Sequence, residues 1–116
     1  MPDTDPNRRP DHIQQLTAPE LKAMIDSGAR FEFVDVRTPH ERELACIEGT
    51  RLLDQPYLDH LLTLDRDTPI VFQCHHGMRS QSAAEYCLGH GFRNLYNLSG
   101  GIDAWSRAVD PSVPRY

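Results

Sequence analysis

The sequence lacks any apolar run long enough to span a bilayer, which takes about 20 residues. It has little cysteine: Cys46, Cys74 and Cys87 stand far apart, odd in number and without a C-x-x-C pair. A structural disulfide framework is therefore not expected, and a reducing compartment is. It also lacks a basic excess. The formal net charge is -5 with a sequence pI of about 5.6, and no Lys/Arg cluster offers the basic face that nucleic acid requires. An anionic membrane surface is disfavoured for the same reason. A small anionic ligand stays open, because a local field can oppose the global charge. There is no internal repeat and no low-complexity tract. The polar, Pro-containing opening stretch has no apolar core of the signal-peptide kind, so the cytoplasm is the expected compartment.

What is present fits one small domain. The chain has 116 residues, 39% hydrophobic and 25% charged, as in ordinary globular proteins. Residues 1–11, with Pro2, Pro6 and Pro10, read as a flexible leader, and 110–116, with Pro111 and Pro114, as an irregular tail. Between them, over 12–109, short strand-like and helix-like segments alternate. Ile13 to Leu16 suits a short edge strand. Thr17-Ala18-Pro19-Glu20 is a capping-box pattern leading into Leu21, Met24 and Ile25 at helical spacing, with Gly28 as a stop. Phe31 to Val36 is strand-like. Thr38-Pro39 opens a second helix, with Glu41 close behind. Arg51 to Leu53 suits a short strand, and Leu58, Leu61, Leu62 and Leu64 a helical stripe. Pro69 to Gln73 is the kind of run that makes a buried central strand. Ser80 to His90 reads as helix, with Ala83, Ala84, Cys87 and Leu88 on one face. Asn94 to Leu98 reads as strand, and Gly100-Gly101 leads into a last helix with Ile102 and Trp105. The alternation implies an α/β domain with a small, mostly parallel central sheet flanked by helices on both faces. In such sheets the ligand sits where strands give way to helices.

Cys74-His75-His76-Gly77-Met78-Arg79-Ser80 falls at such a place. A loop curled around the sulfur turns backbone N–H groups inward, the following helix adds its positive end, and Arg79 adds a permanent charge. Each favours thiolate over thiol. Gly77 permits a tight turn, and Ser80 either caps the helix or gives its hydroxyl to the loop. The same cradle suits a persulfide, whose anionic outer sulfur is spread over several donors, with Arg79 placed to hold an oxyanion.

At these residues the chain resembles the rhodanese-like domains, small sulfurtransferases with an α/β fold, from about Phe33 to Trp105. Asp35-Val36-Arg37 with Glu41 is similar to one family signature. Cys74 to Arg79 is similar to the active-site loop, and Leu98-Ser99-Gly100-Gly101-Ile102-Asp103-Ala104-Trp105 to the carboxyl-terminal signature. One segment departs. Ala45-Cys46-Ile47-Glu48-Gly49-Thr50 stands where the family often has Gly-His-Ile-Pro-Gly-Ala.

The resemblance implies a Cys74 persulfide that takes sulfane sulfur from a thiosulfate-like donor and passes it to a thiophilic acceptor, a protein acceptor included. His75, His76, Gly77, Met78, Arg79, Ser80 and Arg37 are the expected substrate-binding residues. No cofactor and no metal are expected. Asp35 and Arg37 stand either in the pocket wall or as an ion pair fixing strand ends. Cys87 reads as a packed core thiol, Cys46 as a partly buried bystander or a resolving thiol, and Trp105 as a core anchor. The alternatives are a Cys-based phosphatase or arsenate reductase, a sulfur carrier serving a partner protein, and a non-catalytic interaction module. Four residues separate Cys74 from Arg79, one fewer than in the phosphatases whose loop this resembles.

Overall fold

A computed structural model describes residues 12–116; the expected leader, 1–11, lies outside the described residues. Five strands and five helices alternate along the chain: β1 (Ile13–Leu16), α1 (Ala18–Asp26), β2 (Glu32–Asp35), α2 (Pro39–Leu44), β3 (Arg51–Leu52), α3 (Gln55–Leu61), β4 (Ile70–Gln73), α4 (Met78–Gly89), β5 (Leu95–Leu98) and α5 (Gly101–Ala108). The strands form one fully parallel sheet in the order β1-β5-β4-β2-β3. The most apolar strand, β4, is central and buried at every residue. The segment read as an edge strand, β1, is at an edge.

Period-two alternation across the sheet sends side chains into two cores. Ile70 and Phe72 of β4 pack with Val34, Tyr57, Leu61, Ala84, Cys87, Phe92 and Leu95 on the α3/α4 side. Val71 packs with Phe33, Leu98, Leu21, Ile102 and Trp105 on the α1/α5 side. Helices on both faces thus shut a parallel sheet from water, as such sheets require.

Local sequence sets the helix starts. Thr17 and Glu20 close a reciprocal capping box on α1, and Thr38 and Glu41 do the same on α2, each with Pro in the first turn. The helix read over Ser80 to His90 begins two residues earlier, at Met78, because Gly77 supplies the N-cap in a left-handed conformation. Ser80 therefore lies inside the first turn and its hydroxyl is directed to the loop instead of capping the helix. Cys46 is exposed rather than partly buried. It lies in extended chain between Ala45 and Ile47, which both face inward, so alternation turns Cys46 out.

Among the described residues, no helix is long and apolar enough to cross a membrane, and no group of three or more His, Cys, Asp or Glu could hold a metal ion.

Candidate active site

Cys74 follows the last residue of β4, at the carboxyl end of the central strand, and is 1% exposed. The loop after it is fixed from behind. Helix α5 begins against it, with Ile102 N–H donating to the Cys74 carbonyl at 2.8 Å and Asp103 N–H to the His75 carbonyl at 3.2 Å. This approach requires glycine at position 101. Its φ is +61°, and a Cβ there would overlap the carbonyl oxygens of Cys74 and His75. Carbonyls held by α5 leave the loop's N–H groups to face the other way, toward the sulfur.

Three polar groups meet Cys74 Sγ. Gly77 N–H reaches it at 3.1 Å and Ser80 N–H, in the first turn of α4, at 3.4 Å. Ser80 Oγ lies 3.3 Å away. Burial pushes the Cys74 thiol up, but the Ser80 hydroxyl and the N–H groups of Ser80, Gly77 and His76 outweigh it, so the thiol ionises below its ordinary value. Cys87 shows the opposite case. Buried in the core without such donors, it is pushed up to about 11.

The loop has two unlike flanks. On one side, Ser80 Oγ is 2.5 Å from Asn97 Oδ1, and Asn97 Nδ2 donates to the Gly77 carbonyl at 3.1 Å and to Gln15 Oε1 at 2.9 Å. A cleft of about 460 Å³ opens there, lined by Gln15, His76, Gly77, Met78 and Gln81, with Met78 81% exposed. On the other side, Arg79 is forked on Glu41, Nη1–Oε1 2.6 Å and Nη2–Oε2 2.9 Å. That pair holds the Glu41 carboxyl well below the usual carboxylate range. Arg37 donates through Nε and Nη2 to the two oxygens of Asp35 at 2.7 and 2.9 Å, to the Ala45 carbonyl at 2.8 Å and to the Tyr116 hydroxyl at 2.8 Å. Asp35 also takes Arg42 at 2.7 Å. The Tyr116 hydroxyl donates in turn to Glu41 at 2.8 Å. A hollow of about 500 Å³ lies beside this network, bounded by Val36, Arg37, Thr38, Leu53 and Arg79. His75 and His76 sit at the loop's outer rim, Nδ1 to Nδ1 2.7 Å, with His75 Nε2 2.9 Å from the Tyr116 carbonyl.

The fold therefore brings the whole segment 74–80 and Arg37 to one end of the sheet. Arg37 serves the Asp35 ion pair, the α2 end and Tyr116 at once. Glu41, Asn97, Gly101 and Tyr116 join the site without having been singled out as site residues. Glu41 was visible only behind a helix start and in a family signature, Gly101 as a turn glycine, and neither signal spoke of the loop. A larger hollow of about 540 Å³, lined by Phe31, Phe33, Thr68 and Pro69, holds no nucleophile and is formed by the amino-terminal ends of β2 and β4.

Residues 17–108 match the rhodanese-like domain family. The chain belongs to that family. It is 45% identical over 101 residues to the thiosulfate sulfurtransferase GlpE of Ectopseudomonas mendocina, covering 86% of this chain and 90% of the relative. Its fold is similar to that of a rhodanese-like domain protein from Staphylococcus aureus, with a TM-score of 0.71 and 26% identity, covering 90% of this chain and 99% of the other. A Rhodopseudomonas palustris protein described as a possible tyrosine phosphatase is as similar, with a TM-score of 0.71 and 26% identity, covering 90% of this chain and 85% of the other.

Proposed function

We propose that the protein is a thiosulfate sulfurtransferase in which Cys74 carries the sulfur. The observation that supports this best is the convergence of the Gly77 and Ser80 N–H groups and the Ser80 hydroxyl on one buried sulfur. That arrangement stabilises an anion one atom in size at the end of a strand, with no cofactor in the reaction.

The Cys74 thiolate attacks the outer sulfur of thiosulfate. The S–S bond of the donor breaks and its electron pair leaves with sulfite, so Cys74 becomes a persulfide. A thiophilic acceptor such as cyanide attacks the outer persulfide sulfur, the new S–S bond breaks, and the thiolate returns as thiocyanate departs. A covalent intermediate of this kind gives double-displacement kinetics. Arg79 is the residue for the donor's charged end, His75 and His76 flank the approach, and Arg37 fixes the Glu41 side of the pocket. The acceptor class is thiophilic, and a protein acceptor docking over the exposed rim at His76 and Met78 fits the same chemistry. The compartment this reading favours is the cytoplasm, where the three cysteines stay free thiols.

The phosphatase reading deserves a direct test, because one similar fold carries that description. The loop argues against it: four residues between Cys74 and Arg79 make a ring of donors too short for a tetrahedral phosphoryl group, and no Asp or Glu lies in the loop to protonate a leaving alkoxide. One preparation assayed for sulfur transfer from thiosulfate to cyanide and for hydrolysis of an aryl phosphate separates the two. The expected result is Cys74-dependent thiocyanate formation with negligible phosphate release. Intact mass after thiosulfate should show one added sulfur that cyanide removes. Cys74→Ser should abolish that gain, whereas Cys46→Ser and Cys87→Ser retain it. Loading that survives in Cys74→Ser defeats the assignment.

A further inference from the structure

The Ser80 hydroxyl has one proton and two acceptors competing for it. The orientation of Asn97 is fixed by its neighbours. The Gly77 carbonyl can only accept, so the Asn97 amide nitrogen faces it at 3.1 Å, and the second amide proton goes to Gln15 Oε1 at 2.9 Å. Gln15 is oriented by its own donation to Gln81 Oε1 at 2.7 Å. Asn97 Oδ1, an acceptor only, is thereby left facing Ser80 Oγ at 2.5 Å, in a site where Asn97 is 3% exposed and Ser80 fully buried. The Ser80 proton lies between those two oxygens. The Ser80 oxygen then presents lone pairs to Cys74 Sγ at 3.3 Å, which suits a thiol S–H and opposes a sulfur anion.

We propose that Asn97 is a positioning residue of the sulfur site: it draws the Ser80 proton away from Cys74 while the sulfur is neutral and gives it up when the sulfur is anionic. Each thiolate or persulfide state gains the Ser80 hydroxyl as donor only by leaving the Asn97 carbonyl without its partner. Asn97 thus sets how much of the Ser80 hydroxyl the anion receives, without touching the sulfur itself. The charged and titratable groups around this cluster are Arg79 on α4, Glu85 on α4, which accepts from Gln81 at 3.3 Å, His75 and His76 in the loop, and Asp103 on α5. None of them is hydrogen-bonded to Ser80 or Asn97 among the described residues, and β1 contributes only the neutral Gln15. The inference rests on Cys74 being the reacting sulfur.

The test reads ionisation of Cys74 directly and needs no sulfur donor, so it fails or succeeds apart from the sulfur-carrier assignment. In a Cys46→Ser, Cys87→Ser background Cys74 is the only thiol, and its ionisation is followed by thiolate ultraviolet absorbance and by iodoacetamide alkylation rate against pH. Asn97→Ala frees the Ser80 proton for the sulfur, and the titration midpoint should fall by about one pH unit, a tenfold gain in thiolate below it. Repeating the change in Ser80→Ala isolates the route. If Asn97 acts through Ser80, the midpoint moves less than twofold in thiolate population there. An equal fall in both backgrounds assigns the effect to the Gly77 turn and overturns the proposal, as does a midpoint that rises or stays. Should Asn97→Ala fail to fold, Asn97→Asp keeps an acceptor toward Ser80 and strengthens it. Its midpoint should rise further with Ser80 present than in Ser80→Ala, and an equal rise in both is contrary to the proposal.

Discussion

The two flanks of the Cys74 loop are built on different chemistry. The Asn97 flank is neutral and buried, and its geometry follows from counting protons on a hydroxyl and an amide. The Glu41 flank is ionic and partly open: the Arg79 side chain is 47% exposed, and its partner is a carboxylate that an incoming anion can replace. A neutral buried network has one satisfactory arrangement and holds position. An exposed ion pair is worth about 1 kcal/mol or less and exchanges partners readily. In the proposed reaction this difference divides the work: one side holds the sulfur, and the other meets the donor.

The change expected to do most damage strikes the support common to both flanks. Gly101→Ala places a methyl group into the carbonyls of Cys74 and His75 and asks alanine to adopt φ +61°. Helix α5 or the loop must retreat, and the ring of N–H donors opens. We expect thiosulfate:cyanide activity to fall at least 100-fold and stability by about 1–3 kcal/mol or more. Near-parent activity in a folded Gly101→Ala protein would show that α5 does not shape the cradle.

Second is Arg79. If the ionic flank receives the donor, Arg79→Ala should lower kcat/KM for thiosulfate by about 10- to 100-fold, the range of one lost charge-assisted contact. Arg79→Lys should lie between, keeping charge and losing the planar fork. Sulfur loading from an uncharged sulfane-sulfur donor such as an organic trisulfide should suffer much less than loading from thiosulfate. Equal losses with both donors would make Arg79 a part of the sulfur cradle and erase the contrast between flanks.

How far the sequence alone reached follows the same division. Elements whose cause is local were legible: the capping box at Thr17, the helix start at Thr38-Pro39, the apolar run of β4, and Gly77 before α4. The strand-to-helix position of Cys74 was legible for the same reason, because adjacent residues create it. The pairings that complete the site are distant in sequence and carry no local mark. Glu41 reaches Arg79 across 38 positions and Ser80 reaches Asn97 across 17. Glu41 had a sufficient local reason to exist, the α2 cap, which hid its second partner. Asn97 lies on an apolar strand and looks like an irregularity in it. The exposure of Cys46 was missed because alternation in the short extended stretch after α2 shows only once the end of α2 is known.

Glu41→Gln sharpens the comparison with a smaller effect. Glutamine still closes the capping box with Thr38, so α2 should stay intact. It no longer neutralises Arg79, and the freed guanidinium should lower KM for thiosulfate about two- to fivefold, with kcat little changed. The pH dependence has a definite sign. The Glu41 carboxyl is held below its unfolded value, so the pair's contribution to stability is present above about pH 4.3 and is lost as pH falls through the folded value. Thermal unfolding of Glu41→Gln against the parent between pH 3 and pH 7 should therefore converge toward the acid end. A KM that rises in Glu41→Gln would mean that Glu41 orients Arg79 for the donor and does not compete with it.

The smallest expected effect is at Tyr116, whose hydroxyl joins Arg37 to Glu41. It accepts from Arg37 and donates to Glu41 Oε2, the oxygen that Arg79 Nη2 also grips, so it shares that oxygen with Arg79 and weakens the fork. Tyr116→Phe keeps the ring against His75, at 4.5 Å between centroids, and removes only this bridge. Arg37 keeps Asp35 and the Ala45 carbonyl, so its position should hold. Glu41 loses one donor and should lean more firmly on Arg79, which makes it a better competitor of the donor. KM for thiosulfate should rise, by less than about twofold, since a half-exposed hydrogen bond contributes about 1 kcal/mol at most and only a fraction of it passes to the Glu41–Arg79 pair. The direction carries the information: Tyr116→Phe and Glu41→Gln should move KM oppositely, and the double variant should match Glu41→Gln alone. If Tyr116→Phe retains its effect when Glu41 is glutamine, Tyr116 acts on the pocket through His75, and the ionic flank ends at Glu41.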